Sequence, residues 1–223
     1  MLSRIATAVV PVLGGLTITE DADAVLAPGS IIAANHTSLA DPAIVLAALH
    51  RLGVRPVVLA TAGLWRIPVL GRALVREGHV PVRRGTSRAA ESLEGAAAAL
   101  AAGRLVLLYG EGGLPRRRDA GEQVPGSFRS GLARLAQATA APVVPLGQAG
   151  ARRLSSGGTA KQLAGLLTAP LRRPGFHVHI GAPVHLTGDR TTAVATARTA
   201  VTAAWRHAAE QLGEPVGPLD AVG

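Results

Sequence analysis

The sequence predicts a single α/β domain, residues 1–223, with a mostly parallel central sheet flanked by helices. Short apolar runs of strand length alternate with longer segments of helical spacing, a pattern typical of parallel strands joined by crossover helices. Glycine or proline stands at many boundaries between these segments. The length of 223 residues suits one domain with a sizeable core.

Residues 1–29 are an apolar lead-in to the predicted sheet. Their longest apolar stretch, residues 5–18, is interrupted by Pro11, Gly14 and Gly15. It is shorter than the roughly 20 residues that a membrane-spanning helix needs. We interpret it as a short interfacial helix that leads into a strand.

Six further runs are predicted strands: most are short apolar runs, and the last one alternates apolar and polar residues as a strand does. They span residues 31–34, 56–60, 79–82, 104–108, 142–146 and 176–180. Four segments are predicted helices, and they span residues 42–49, 87–102, 128–139 and 191–212. Asp41 and Pro42 are a favourable start for the first helix, and Ser87 and Gly103 can cap and end the second.

Two stretches, residues 110–126 and 152–158, are predicted loops. The first is rich in Gly, Pro and Arg and follows a buried strand. Because α/β domains place their ligand sites where strands end, we expect chemistry near this loop.

The composition excludes several kinds of site. The chain has no cysteine, so disulfides, thiolate metal sites and a cysteine nucleophile are excluded. Hydrophobic residues make up 48% of the chain and aromatic residues only 2%, so the core must be built from Ala, Val, Leu and Ile.

The formal net charge of +9 fits an anionic membrane surface, a phosphorylated substrate or nucleic acid. No zinc finger, recognition helix or aromatic-studded basic strand accompanies the charge, so we expect no nucleic-acid partner. Lys161 is the only lysine among 23 basic residues, a bias that equally fits a compositional origin of the charge.

His36 and Asp41 are the candidate catalytic pair. The histidine follows a predicted strand, and the carboxylate stands five residues later at a predicted helix start. A carboxylate that holds one ring nitrogen fixes the tautomer and raises the basicity of the other, which can then take a proton from an attacking alcohol. On spacing alone, a helix-capping Asp41 beside an ordinary loop histidine is the favoured alternative.

The whole segment Asn-His-Thr-Ser-Leu-Ala-Asp-Pro, residues 35–42, resembles the first motif of the glycerolipid acyltransferases, which include 1-acylglycerol-3-phosphate acyltransferase. The matching positions are Asn35, His36, Ser38, Asp41 and Pro42. The resemblance implies an acyltransferase-like fold, with His36 as general base and Asp41 as the residue that orients it. All motifs that carry it lie within residues 30–150.

Residues 78–85 resemble the family's second motif, a strand that ends in an arginine contacting the acceptor phosphate. The resemblance implies this role for Arg84, whose guanidinium can hold two phosphate oxygens. A solvated surface arginine is the alternative. Arg83 stands where the family often has an acidic residue, and it is either a second phosphate ligand or a surface residue.

Residues 106–113 resemble the third motif, a strand followed by Phe-Pro-Glu-Gly-Thr-Arg. Glu111 and Gly112 match it, whereas Gly110 and Gly113 replace Pro and Thr or Ser. The resemblance implies that Glu111, Gly112 and Gly113 bind substrate, and glycines here let backbone N–H groups approach an anion. A structural carboxylate that holds this loop is the alternative for Glu111.

Leu114 stands where the family has a phosphate-binding arginine. Arg116, with Arg117 and Arg118 beside it, either fills that place from a longer loop or belongs to a solvated charge run. Residues 126–131 resemble the family's Gly-x-Phe-Lys/Arg-x-Gly segment, which implies substrate binding by Arg129. Residues 142–146 resemble the fourth motif, where we expect mainly packing.

The resemblance implies direct acyl transfer from acyl-CoA or acyl carrier protein to the hydroxyl of a lysophospholipid. The leading candidate for this acceptor is 1-acylglycerol-3-phosphate, which would give phosphatidate. No acyl-enzyme is expected, since the chain lacks cysteine and a Gly-x-Ser-x-Gly elbow. No cofactor or metal is expected either, because His177 and His179 share a strand face but have no third candidate ligand. We expect a peripheral protein at the cytoplasmic face of the cell membrane, with an anionic membrane surface as partner.

Two alternatives remain open. An acyltransferase for a non-phosphate lysolipid or a specialised alcohol is motivated by Leu114. A non-catalytic basic lipid-binding module belongs to another class, and the intact first motif speaks against it, because lipid binding needs no His–Asp pair.

Overall fold

The computed structural model describes residues 1–83, 89–114 and 121–216. Within these residues the strands are β1 (Gly15–Glu20), β2 (Ile31–Ala34), β3 (Val57–Thr61), β4 (Val80–Val82), β5 (Val106–Tyr109), β6 (Val143–Ala149) and β7 (Gly175–Ile180). The α-helices are α1 (Leu2–Leu13), α2 (Asp41–Arg51), α3 (Pro68–Arg76), α4 (Ala89–Ala101), α5 (Gly131–Thr139), α6 (Thr159–Arg172) and α7 (Arg190–Gln211). Short 3-10 turns lie at Ala62–Arg66 and Ala151–Arg153.

The strands form one seven-stranded sheet in the order β1-β7-β6-β2-β5-β3-β4. Neighbouring strands are parallel except β6 and β7, which are antiparallel, so β1 and β7 run against the other five. The prediction of an α/β domain with a mostly parallel sheet is therefore confirmed. The reversal at β7 has no counterpart in the sequence prediction.

The central strand β2 lies between β5 and β6, and Ala34 is in register with Tyr109 on one side and Leu146 on the other. All four residues of β2 are fully buried. Helices cover both faces of the sheet, which is why the strand is continuously apolar rather than alternating. Strands β2 and β5 therefore end level with each other, and β6 continues for three residues beside the polar segment that follows β2.

Two helical layers enclose the sheet. Residues of α1, α2 and α6 belong to one apolar cluster with one face of the central strands. Residues of α4, α5 and α7 belong to a second cluster on the other face. Ala, Val, Leu and Ile dominate both clusters, as the composition predicts.

Helix α7 lies in backbone contact with β6. A Cβ atom at Gly147 would stand 2.0 Å from the carbonyl carbon of Ala204 and 2.1 Å from the amide nitrogen of Trp205. Trp205 is buried, and its Nε1 donates a hydrogen bond of 3.0 Å to Glu122 Oε2. A glycine in β6 is thus what lets α7 approach the sheet this closely.

Several predicted elements agree with the structure and others do not. The lead-in contains the expected short helix, α1, followed by the strand β1, and each further predicted strand and helix has a counterpart. Helices α3 and α6 were not predicted, and the stretch 152–158 includes part of a buried 3-10 turn rather than only open loop. Ser87, the expected cap of α4, lies outside the described residues. No helix among the described residues is both long enough and apolar enough to cross a membrane.

Gly147→Ala should lower the free energy of unfolding by about 2–3 kcal/mol or more, because the added methyl group has no space between β6 and α7. Urea titration of the purified variant measures the loss. Gly131→Ala is the matched control, since a Cβ there meets nothing within 4 Å at the start of α5. Alanine is also the better helix former, so the control should gain up to about 1 kcal/mol. Equal destabilisation of both proteins would contradict the packing argument.

Candidate active site

His36 lies two residues beyond the end of β2, with its ring against the start of α2. Its Nδ1 donates to Asp41 Oδ2 over 2.9 Å. The Asp41 carboxylate is fully buried, whereas the imidazole is 16% exposed. The pair that the spacing suggested is therefore in contact through Nδ1. The second ring nitrogen, Nε2, does not take part in this contact.

The Asp41 carboxylate is held by the backbone as well as by the imidazole. Its Oδ2 also accepts from the N–H groups of Thr37 and Ser38, over 2.6 and 2.9 Å. Asp41 is the first residue of α2, where the helix dipole favours a negative charge. Its other oxygen, Oδ1, is buried and has no hydrogen-bond partner within the described residues. Asp41 thus organises the turn before the helix and orients His36 with one and the same oxygen.

Two further residues of the first motif fasten this segment to the rest of the fold. The side-chain amide of Asn35 donates to the carbonyl of Gln148 over 3.0 Å and accepts from the Gln148 N–H over 2.8 Å. Ser38 Oγ donates to the carbonyl of Ser155 over 2.8 Å. The side chains of Asn35 and Ser38 therefore hold the backbone around His36 in place.

Sequence reasoning missed two buried polar partners of this segment. Arg152 Nη1 donates to the carbonyl of Thr37 over 3.0 Å, and Gln148 Nε2 donates to Thr37 Oγ1 over 3.2 Å. Both side chains are buried. The signal that could have found them is polarity in an otherwise apolar neighbourhood, since Gln148 lies in the buried strand β6 and Arg152 follows it closely.

Glu111 joins the segment after β5 to the segment after β2. Its Oε1 accepts from the His36 N–H over 2.8 Å, and its Oε2 accepts from the Gly126 N–H over 3.1 Å. Burial raises the pKa of Glu111, although the two backbone N–H groups act in the opposite direction. Both carboxylate oxygens thus bind backbone groups, which is the structural arrangement weighed for this residue.

Tyr109, the last residue of β5, stacks on the catalytic candidate. The rings of His36 and Tyr109 have centroids 4.3 Å apart and planes inclined by 28°. The Tyr109 hydroxyl is buried and has no hydrogen-bond partner in the described part of the chain. Burial, and secondarily the charge of Asp41, raises the pKa of Tyr109 well above its usual range, so the phenol stays neutral. Sequence reasoning did not single out this residue.

The glycines after Tyr109 have steric reasons. A Cβ at Gly110 would stand 2.3 Å from the ring of Phe128, which leaves no room for the proline of the family's motif on this backbone. Gly112 has a φ of +69°, and a Cβ there would stand 2.8 Å from Cγ of Arg129. Arg129 itself is exposed, and its N–H donates to the Gly110 carbonyl over 2.9 Å.

The other candidates for substrate binding lie partly within and partly outside the described residues. Gly113 is partly buried, and Leu114 beside it is exposed. Arg84 and Arg116 lie outside the described residues, as do Arg117 and Arg118. Arg83 is exposed, with its Nη1 3.4 Å from Glu91 Oε2, which places it in a surface ion pair.

The two histidines of β7 take part in a separate set of contacts. His177 bonds the hydroxyls of Thr17 and Thr19, and His179 bonds Thr19 and Asp21. Within the described residues no group of three or more His, Cys, Asp or Glu side chains could hold a metal ion.

Comparison with known proteins adds independent information. A crystal structure of the 1-acyl-sn-glycerophosphate acyltransferase PlsC from Thermotoga maritima superposes with a TM-score of 0.67 at 17% identity, covering 97% of this chain and 81% of that one. At this identity the match shows a shared fold. No curated protein matches the chain. The model of the acyltransferase family matches residues 16–148, which include the His36 segment and the loop after β5. The chain therefore belongs to the acyltransferase family.

Proposed function

We propose that this acyltransferase moves a fatty acyl group from acyl-CoA or acyl carrier protein to the hydroxyl of a lysophospholipid, first of all 1-acylglycerol-3-phosphate, giving phosphatidate. The observation that carries the proposal is the His36–Asp41 pair, with its backbone-anchored carboxylate and its partly exposed imidazole. The family and the shared fold with a lysophosphatidate acyltransferase support the same reaction class.

In the proposed mechanism His36 acts as the general base. Asp41 accepts a hydrogen bond from Nδ1–H, which keeps the ring proton on Nδ1 and leaves the lone pair on Nε2 for the acceptor hydroxyl. As the hydroxyl oxygen attacks the thioester carbonyl carbon, its proton passes to Nε2. When the tetrahedral intermediate collapses, the C–S bond breaks and the leaving thiolate takes that proton, which returns His36 to its neutral form.

The neighbouring contacts support this role of His36. Stacking on Tyr109 limits how the imidazole can turn. The bond from the backbone N–H of His36 to Glu111 holds the backbone from which the ring extends. A positive charge that forms on the ring meets the face of Tyr109 and the carboxylate of Asp41, both of which stabilise it. We assign Glu111 to holding the two loops together, with Gly112 and Gly113 allowing close approach of the substrate.

The acceptor side of the proposal rests on arginines. Arg84 is assigned to the acceptor phosphate, with Arg116 and Arg129 as further candidates. One observation favours a second acceptor class: Leu114, where the family has a phosphate-binding arginine, presents an exposed apolar side chain beside the candidate site. A non-phosphate lysolipid or a specialised alcohol is therefore the second candidate.

The lysolipid acceptor resides in membranes, so we propose peripheral association with an anionic membrane surface at the cytoplasmic face. The net charge of +9 is suited to such a surface. No cofactor beyond the acyl donor enters the proposed mechanism.

His36→Ala should lower kcat for acyl transfer by about 10²-fold or more, the scale of losing a general base. The fold should remain, because the imidazole is partly exposed and its removal leaves no large cavity. Release of free thiol from acyl-CoA, measured with a panel of lysolipids, gives the rate.

His185→Ala is the matched control, because His185 is exposed and follows Val184, which pairs with Val143 at the end of β2 opposite the His36 segment. Asp41→Asn is a second variant that should be severely impaired and also less stable, since Asp41 Oδ2 holds two backbone N–H groups. Near-normal turnover by the His36→Ala protein would refute the mechanism.

Tyr109→Phe should keep transfer activity and raise the free energy of unfolding by up to about 1 kcal/mol, because it removes a buried hydroxyl that has no partner among the described residues. Tyr109→Leu should lower kcat severalfold, because it removes the ring that stacks on His36. Steady-state kinetics and urea titration of the two variants provide the comparison. If Tyr109→Phe were as inactive as His36→Ala, the hydroxyl rather than the ring would be the functional group.

Arg84→Ala should lower kcat/KM for a phosphate-bearing acceptor, by an amount that corresponds to about 1.5–3 kcal/mol of lost transition-state stabilisation. The KM for the donor should be unchanged. Arg84→Lys should restore only part of this loss, since an ammonium cannot form the two-pronged contact. Arg83→Ala is the control, because Arg83 is in a surface ion pair with Glu91. A smaller effect is expected at Arg116, Arg117 or Arg118. If Arg84, Arg116, Arg117 and Arg118 can all be removed without changing acceptor kinetics, the acceptor has no phosphate. A non-phosphate lysolipid or a specialised alcohol is then the acceptor.

A further inference from the structure

Exposed large apolar side chains are distributed unevenly over the two helical layers. On α6, Leu163, Leu166, Leu167 and Leu171 are 57%, 40%, 71% and 88% exposed. On α1, in the same layer, Ile5, Val9 and Val12 are about half exposed. The described residues of α4, α5 and α7, which form the other layer, expose no large apolar side chain. Among the described residues, the exposed large apolar side chains of the two layers are thus confined to α1 and α6, and helix α3, which belongs to neither cluster, also exposes Val69 and Val75.

The leucines of α6 form one continuous flank. Leu163, Leu167 and Leu171 are spaced four residues apart, and Leu166 lies beside them on the helix surface. The side that faces the protein consists of small residues instead: Ala169 is fully buried, and a Cβ at Gly165 would stand 2.4 Å from the Leu154 carbonyl oxygen. A surface helix normally turns its leucines to the core. Here the helix is packed through its small residues, and the leucines face outward.

The charges next to the flank suit anionic lipid. Neither α1 nor α6 contains an Asp or Glu, whereas α6 carries Lys161 and Arg172 and α1 carries Arg4. Arg172 donates to Thr168 Oγ1 and to the Gly165 carbonyl, both neutral acceptors. The charged side chains that these two helices themselves carry are thus all basic, which is typical of helices that lie in the headgroup region of an anionic bilayer.

The start of α6 is connected to the candidate active site by hydrogen bonds. Ser38, in the His36 segment, donates to the Ser155 carbonyl, and Gln162 in the first turn of α6 donates to the Gly157 carbonyl over 2.8 Å. The start of α6 is therefore tied to the segment that carries His36. Leu39, in that same segment, is 65% exposed. A further exposed leucine thus stands in the segment to which the start of α6 is connected.

We propose that the outer flank of α6, formed by Leu163, Leu166, Leu167 and Leu171, docks on a phospholipid bilayer together with the exposed stripe of α1. The helices lie in the plane of the headgroups, and the His36 segment lies at the lipid boundary. An acceptor lipid reaches His36 from this boundary without crossing water. That last step rests on the proposed function, whereas the docking itself rests on the exposed leucines and the basic residues beside them.

The test is binding of the full chain to vesicles of phosphatidylcholine and phosphatidylglycerol, measured by co-sedimentation. The double variant Leu167→Gln/Leu171→Gln should bind at least about tenfold more weakly, because two leucines no longer enter the apolar boundary. Both side chains are more than two-thirds exposed, and glutamine is a good helix former, so the fold should be retained. Ala195→Gln/Ala203→Gln on the exposed face of α7 is the matched control and should bind as the unmodified protein does.

A second measurement tests directly whether α6 enters the bilayer. In the Leu171→Trp protein the new indole should be quenched by lipids brominated in the acyl chain, since it enters the bilayer boundary. Unchanged binding by the α6 double variant, or no quenching in bound protein, would overturn the proposal. So would a dimer in sedimentation velocity that the α6 variant makes monomeric while vesicle binding is unaffected, because a second copy would then cover the flank. Vesicle binding needs no acyl donor, so binding through α6 without any acyl transfer would support docking and count against the proposed function alone.

Discussion

One oxygen atom, Oδ2 of Asp41, sets the arrangement on which the candidate site depends. It accepts from the N–H groups of Thr37 and Ser38 and from the imidazole of His36. Charge-assisted bonds of this kind, at the start of a helix, make a fully buried carboxylate tolerable. Because the same atom closes the turn and holds the imidazole, the segment cannot fold without also orienting its histidine.

The remaining contacts follow from the register of the central strands. Ala34 lies beside Tyr109 in β5 and beside Leu146 in β6, so the segments after β2 and β5 start next to each other and the last residues of β6 lie alongside. Tyr109 thereby reaches the His36 ring, and Gln148 reaches Asn35. Glu111 then connects the His36 backbone with Gly126. Three parts of the chain that are far apart in sequence thus fix one imidazole.

The parts of this arrangement that depend on local sequence could be predicted. His36 and Asp41 are five residues apart, and a buried apolar strand before them and a helix start after them leave little freedom in how they meet. The strands themselves were predictable because burial on both faces makes them continuously apolar. The hydrogen-bond partners that are distant in sequence could not be predicted. The bond from Arg152 to Thr37, for example, spans 115 residues and leaves no periodic pattern in the sequence.

Two differences from the expected fold have equally physical reasons. The rule that apolar periodicity marks the face turned to the core does not apply to α6, whose leucines face outward and whose inner side is Gly and Ala. The direction of β7 depends on how the chain returns after α6, which the apolar run itself does not encode. Arg84 and Arg116, expected to bind phosphate, lie outside the described residues and remain predictions.

The unpaired polar atoms beside His36 have a consequence for engineering. The Tyr109 hydroxyl, Asp41 Oδ1 and Gln148 Oε1 are all buried, and none has a hydrogen-bond partner among the described residues. Such atoms are unfavourable in a folded protein, and it is at functional sites that natural sequences retain them. A library selected for heat resistance alone would therefore favour Tyr109→Phe, which removes one such atom, and would keep Asp41, whose Oδ2 holds two backbone N–H groups.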